Sequence, residues 1–220
     1  MKRTIAMAAL AAVMIFAGKA YAQLSIHAGY APVTYTTETT VGSTTTETTN
    51  EMAGFFAGAT YNHTFDGYLG LSLGAQARYN IKSSVGSASF VVVSGNDKSK
   101  ETQVMLDVPV LLNYGINLNN DAKLVVFAGP TISYALYGNT HVTTETTVLG
   151  VTTTTETDTP MYDDGSAYNR LDLSAAAGVE LHYTGYRLFG GYRLGFLDLN
   201  NNDNIKTTSS GLFVGIGIDL

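Results

Sequence analysis

The chain has no cysteine, which excludes disulfide staples, thiol chemistry and an acylated amino-terminal cysteine. Tryptophan is missing as well, and proline is limited to four residues. Basic residues are scarce. Without Lys2, Arg3 and Lys19, nine of them face 18 acidic residues, a charge of −9. That balance argues against nucleic acid as a partner and against simple attraction to anionic lipid headgroups. Long apolar runs are also missing. The longest, Ile5 to Phe16, covers 12 residues, too short to cross about 30 Å of hydrocarbon as a helix. No H-E-x-x-H, G-x-S-x-G or P-loop pattern occurs.

What is present begins with a leader. Lys2 and Arg3 precede the short apolar run, and Ala20-Tyr21-Ala22 follows it before Gln23. A basic start, a short apolar stretch and an A-x-A site predict a secretory signal peptide over residues 1–22. The mature unit is expected to be one domain over 23–220.

The last ten residues, GLFVGIGIDL, divide into two faces. Leu212, Val214, Ile216, Ile218 and Leu220 point one way, and Gly211, Phe213, Gly215, Gly217 and Asp219 the other. A strand so apolar on one side suits a sheet that closes on itself and faces lipid. Seven further segments alternate in the same way. The full set lies near 24–35, 51–64, 68–82, 101–117, 123–138, 169–183, 186–199 and 206–220. The fold predicted is all-β, an eight-stranded antiparallel up-and-down transmembrane barrel. Leu106, Val108, Val110, Leu173, Val214 and Ile216 are expected to face lipid. Pro109 and Pro130 fall inside strands, where a bulge or a missing ladder bond is expected.

Connections alternate in length. Asp66-Gly67, Asn119-Asn120-Asp121 and Thr184-Gly185 are short; 36–50, 83–100 and 139–168 are long, and 200–205 is intermediate. Short periplasmic turns and long extracellular loops are the outer-membrane arrangement, with both termini in the periplasm. Tyr61, Tyr114, Tyr183 and Tyr186 lie beside the short turns, and Tyr79 and Tyr134 lie higher on their strands. Two tyrosine bands of this kind read as interfacial girdles. A soluble lipocalin-like or sandwich domain would instead carry Lys and Glu on its second face, and here that face is mostly Gly, Ser and Ala.

The same face carries Arg78, Arg187 and Arg193 with Asp107, Asp172 and Glu180. Charges inside a narrow barrel must pair, because an isolated buried ion is costly to desolvate. The expectation is a packed ionic plug, against the alternative of a gated conduit.

Two long loops share a motif: TTETTVGSTTTETT over 36–49 and TTETTVLGVTTTTET over 143–157. Threonine favours strands, and Gly42 and Gly150 sit where a hairpin could turn. Each loop is expected to continue its strands as a ribbon displaying Glu38, Glu47, Glu145 and Glu156. Three readings stand: a low-complexity surface loop, a recognition ribbon for a sugar, a protein or lipopolysaccharide, or a Ca²⁺ site that includes Asp158, Asp163 and Asp164. No spacing here matches a Ca²⁺ loop. Of the four histidines only His141 lies near the outer rim, where a lipid-modifying enzyme would act. No catalytic residue, metal ligand or cofactor site is assigned.

Taken together, the leader, the eight alternating segments and the terminal strand resemble small bacterial outer-membrane β-barrels. The Bacteroidetes-type family that includes PorT-like proteins is the nearest likeness. In the carboxy-terminal assembly pattern of such proteins, Gly215, Ile218 and Leu220 fit marked positions, while Phe213 stands at the polar position and Leu220 replaces the usual Phe. The resemblance implies insertion by the outer-membrane assembly machinery. It also implies contact with outer-membrane lipid and lipopolysaccharide. The function expected first is non-enzymatic display of Thr-rich loops for surface interaction or envelope integrity, toward a surface ligand or an envelope protein. A narrow porin-like channel for small solutes and an accessory role in an outer-membrane secretion system are the alternatives.

Overall fold

The computed structural model describes residues 22–65, 68–90, 93–149, 151–163, 166, 168–202 and 204–220, with side chains at all of these except 22, 87–90, 93 and 94. Residues 1–21 of the expected leader, the Asp66-Gly67 turn, Gly150 and Asp164 lie outside the described residues.

Ten strand segments follow in chain order: β1 (Ala22–Tyr30), β2 (Val33–Val41), β3 (Thr44–Thr64), β4 (Leu69–Phe90), β5 (Val93–Asn117), β6 (Ala122–Val148), β7 (Val151–Pro160), β8 (Leu171–Tyr183), β9 (Tyr186–Gly195) and β10 (Ile205–Asp219). They make eight staves. β1 and β2 are one stave broken at Ala31-Pro32, and β7 is the outer return leg above β8. Every pairing is antiparallel, and β1 closes the ring by pairing β10 from Ser25↔Asp219 to Tyr30↔Val214. Closure leaves no edge within the membrane, which is what a sheet needs in hydrocarbon.

The barrel is inverted relative to a soluble protein. Leu24, Ile26, Leu106, Leu112, Leu173, Val179, Val214 and Ile216 are exposed, and Val108 and Val110 are half-exposed. Arg78, Asp107, Asp172, Glu180, Arg187 and Arg193 are buried. Period-two alternation sends each set to its own side of the wall.

Two tight turns follow from their sequences. Thr184 and Gly185 both have positive φ, 46° and 85°, the twist a two-residue hairpin requires. The side-chain carbonyl of Asn119 accepts from the backbone N–H of Asp121 at 2.9 Å and of Ala122 at 2.7 Å. Tyr183 pairs with Tyr186 across the first of these turns, and Tyr114 stacks on Tyr68 at 6.3 Å near the same end. The upper band is fuller than expected. Tyr30, Phe55 and Tyr79 face one another in register, with Tyr30 and Phe55 rings 5.4 Å apart.

At the prolines the ladder is interrupted without a change of register. The β4–β5 pairing skips from Leu73↔Val110 to Gln76↔Asp107, and β5–β6 skips from Pro109↔Thr131 to Leu112↔Ala128. The bulge lies elsewhere: Val104 faces Tyr137 and Met105 faces Ala135, leaving Leu136 as an extra residue.

The long connections are strand, not loop. A tilted stave needs about 9–11 residues to cross a membrane. β5 has 25 and β6 has 27. Both threonine segments form ribbons, as anticipated, and so does 83–100, which read as a plain loop. It pairs from Ser83↔Lys100 to Phe90↔Val93. The outer parts of β4, β5, β6 and β7 are consecutively paired, so they form a four-stranded sheet standing above the barrel.

Candidate functional site: the lumen, its outer mouth and the ribbons

Alternation on four staves directs the charged side chains to the axis. Arg78 Nε donates to Asp107 Oδ2 at 2.8 Å and Nη2 to Oδ1 at 3.2 Å. Arg193 Nη1 reaches the same Oδ2 at 3.3 Å. One carboxylate therefore serves two arginines. Below it, Gln76 Nε2 donates to Asp107 Oδ2 at 3.3 Å while its carbonyl lies 3.1 Å from His27 Nε2. Nearer the periplasm, Arg187 holds Glu180 with two parallel bonds, Nε to Oε1 at 2.7 Å and Nη2 to Oε2 at 2.6 Å. His182 also contacts Glu180, and Asp219 approaches His182 at 3.5 Å while accepting from Ser25 Oγ at 2.6 Å.

Asp172 departs from the expected scheme of three acids on three arginines. Ser209 Oγ donates to its Oδ2 at 2.6 Å, and among the described residues its Oδ1 has no hydrogen-bond partner. Asp219, His182, Gln76 and Ser209 complete the network and were not singled out as site residues. Asp219 and His182 were visible as polar residues on small-residue faces. Ser209 was not, since its pairing depends on two staves 37 positions apart.

Between the two ionic layers lie four phenylalanines. Phe56, Phe127, Phe189 and Phe213 stand in register with Gly29, Gly178, Gly215 and Gly191 on the next stave. A Cβ on any of these glycines would lie 2.5–2.6 Å from the facing ring's Cζ. Each ring thus lies flat on a bare backbone, which fills the lumen where a second large side chain could not fit. Phe127 and Phe213 stack at 6.1 Å. Cavities beside these side chains include one of about 90 Å³ among the rings, one of about 130 Å³ at the periplasmic end, and a larger one of about 360 Å³ at the outer mouth.

Residues 16–204 match the family described as outer membrane protein beta-barrel domain. The chain belongs to this family. Solved structures of the same general form include Ail, the attachment invasion locus protein of Yersinia pestis, at 14% identity and a TM-score of 0.35, covering 90% of this chain and 98% of that one. The neisserial surface protein NspA matches at 12% identity and a TM-score of 0.34, covering 89% and 97%. The outer membrane protease OmpT of Escherichia coli matches at 7% identity and a TM-score of 0.39, covering 90% and 96%. No curated protein sequence matches the chain.

In this outer-membrane barrel the motif glutamates share one orientation. Tyr35, Asn50, Thr140 and Thr159 line the outer-mouth cavity, so residues of opposite parity on their strands point away from it. That sends Glu38, Glu47, Glu145 and Glu156 outward. Glu38 and Glu47 face each other across β2–β3, with Lys206 opposite Glu38 on β10. Lys98 Nζ lies 3.6 Å from Glu145. The four do not converge on one point.

The motif halves have different places in the sheet. The TTETT halves, 36–40 and 143–147, lie on β2 and β6, each flanked by a strand on both sides. The TTTET halves, 44–48 and 153–157, lie on β3 and β7. Among the described residues, β7 pairs with β6 alone, and the outer part of β3 with β2 alone. They are free edges.

His141 sits on β6 opposite Asp158, with Nδ1 2.9 Å from Oδ1; Asn139 Nδ2 donates to the same oxygen at 2.8 Å. Thr143 Oγ1 lies 3.4 Å from His141 Nε2. The Asn139 and His141 bonds hold the Asp158 carboxyl below its usual range. Among the described residues no three His, Asp or Glu side chains gather into a metal cluster.

Proposed function

We propose that this outer-membrane barrel acts without catalysis, as a rigid stem that presents its threonine ribbons for surface interaction or envelope integrity. The observation that carries the reading is the placement of the TTTET strands. Proteins ordinarily guard exposed strand edges with lysine, proline or a covering segment. Here β7 and the outer part of β3 offer unpaired backbone groups flanked by threonine and glutamate, on strands whose residues are exposed from 151 to 160 and from 44 to 49. An edge of this kind takes an extended partner segment through backbone hydrogen bonds. The outward glutamates favour a segment with basic residues.

Residues 1–22 act as the signal peptide in this reading. The assembly machinery inserts the mature chain among lipopolysaccharide and outer-membrane lipid. The departures from the carboxy-terminal pattern, Phe213 at its polar position and Leu220 in place of the terminal Phe, weigh against a proteobacterial placement and favour the finer one among Bacteroidetes-type, PorT-like barrels. The His141–Asp158–Thr143 row serves as a cross-strand tie, since it lies along the outward face of a ribbon. A second reading, a narrow conduit for small solutes, draws on the cavities within the lumen.

The test removes 38–48 and 144–156 together from the full-length protein. Folding is followed by heat-modified gel mobility, and adhesion of cells carrying each form to cationic and cellular surfaces is compared. The expected result is a folded barrel with adhesion lost. Unchanged adhesion, or a barrel that no longer folds, would contradict the display role.

A further inference from the structure

The outer-mouth cavity is not absorbed by the ribbon reading. It lies above the Arg78–Asp107 layer, and its volume of about 360 Å³ falls in the range of small-molecule sites. Tyr35, Tyr162 and Tyr168 supply aromatic surface; Asn50, Glu101 and Gln103 supply polar groups.

These side chains are held in place from behind. Tyr35 O–H donates to Gln103 Oε1 at 2.8 Å, and Asn80 Nδ2 donates to the same oxygen at 3.2 Å. The Gln103 amide nitrogen meets only the soft Met161 sulfur, at 3.8 Å, among the contacts described for it. A buried amide donor whose best partner is a thioether retains capacity for a stronger acceptor. Arg170 lies 5.5 Å over the Tyr162 ring and donates to the Tyr162 carbonyl at 2.6 Å, which fixes the ring. Burial pushes the Tyr162 phenol upward, so its hydroxyl stays a neutral donor.

The charged groups around the cavity are already partnered. Lys82 bonds Asn50, and Asn50 Nδ2 donates to Glu101 Oε2 at 3.2 Å. The arginines of the floor are paired with Asp107. A phosphate or sulfate would need arginines free to fork onto it. The walls of the approach are hydroxyls, with Thr37, Thr140, Thr159 and Thr207 on the cavity and the motif glutamates turned away. Aromatic faces, amide and hydroxyl groups, with the nearby arginines already engaged, suit a ring with one C–H face and a hydroxyl edge.

We propose that the outer mouth binds the terminal residue of a neutral glycan, stacked on the tyrosines and hydrogen-bonded by Gln103, Asn50 and Glu101. This site does not depend on the ribbon edges. The test uses the full-length barrel in a phosphocholine detergent, because sugar-headed detergents would compete. Maltose, lactose and N,N′-diacetylchitobiose are titrated by saturation-transfer difference NMR. The expected result is saturable binding of at least one, with transfer concentrated on the C–H face. Tyr162→Ala and Tyr168→Ala should each weaken binding by up to about tenfold. Deletion of 38–48 should leave it within about twofold, since the residues named above remain. Tyr168 is exposed, so its variant keeps the test valid if Tyr162→Ala fails the heat-modified mobility check. Displacement of the disaccharide by purified lipopolysaccharide would place the natural glycan on the cell's own envelope, and no displacement would place it outside; either supports the sugar site. Absence of saturation up to about 50 mM for all three sugars, or binding unaffected by both tyrosine variants, would overturn the proposal.

Discussion

The lumen and the ribbons are built from the same strands but solve opposite problems. Arg78 and Asp107 pair at 2.8 Å with side chains 2% and 0% exposed, whereas Lys98 and Glu145 pair at 3.6 Å with 59% and 36% exposed. Along β5, Lys98 and Asp107 are only nine positions apart. In the lumen each paired charge depends on its partner, because burial cuts it off from the bulk water that would otherwise replace it. On the ribbon, water and salt replace the partner at little cost. The comparison teaches that strength lies in the stem and that the outer sheet can vary in side chains without loss of fold.

The sharpest test of that contrast is Asp107→Ala. It strands Arg78 and Arg193, and the expected loss is about 3–5 kcal/mol of unfolding free energy in detergent. Glu145→Ala should cost under about 1 kcal/mol. Equal losses would break the distinction. A second comparison sets the lipid face against the ribbon. Val214→Arg near mid-strand should cost about 2–4 kcal/mol, while Thr46→Arg, on an exposed edge, should stay within about 0.5 kcal/mol, both read from urea midpoints of refolding.

A smaller effect tests the packing of the aromatic layer. Gly178→Ala would bring a Cβ within 2.3 Å of the Gly190 carbonyl oxygen and 2.6 Å of Phe127 Cζ. Overpacking of this sort should cost about 1–3 kcal/mol in the same assay. The smallest effect concerns pH on the ribbon. Asp158 is held below its usual pKa of 3.8 by Asn139 and His141. A lowered carboxylate contributes stability above its unfolded value and loses it as pH falls through the folded one. The protection of amides across the paired ends of β6 and β7, taken relative to their intrinsic exchange rates, should therefore fall below about pH 4, and Asp158→Ala should remove that step.

The eight staves and their two faces were legible because alternation repeats along each one. The third ribbon was not. Residues 83–100 carry serine, glycine and charge around one short apolar run, 90–93, with no sustained alternation, and they form strands because β5 pairs with β4 on one side and β6 on the other. The phenylalanine layer was hidden for a related reason. Phe213 is the bulky exception on a small-residue face, and Gly191 opposite it on the next stave supplies the room it needs. Register between distant staves decides such pairs, and one strand's pattern does not encode it. The same limit separated Asp172 from Ser209. The charged lumen positions themselves were legible from parity alone.

The account stands most directly on a stem whose lumen is closed at the Arg78–Asp107–Arg193 layer. Single-channel recording of the full-length protein in a planar bilayer tests it. The account predicts no steady conductance from the unaltered barrel and the appearance of brief openings in Asp107→Ala. A stable, large conductance in the unaltered protein, left unchanged by Asp107→Ala, would contradict it.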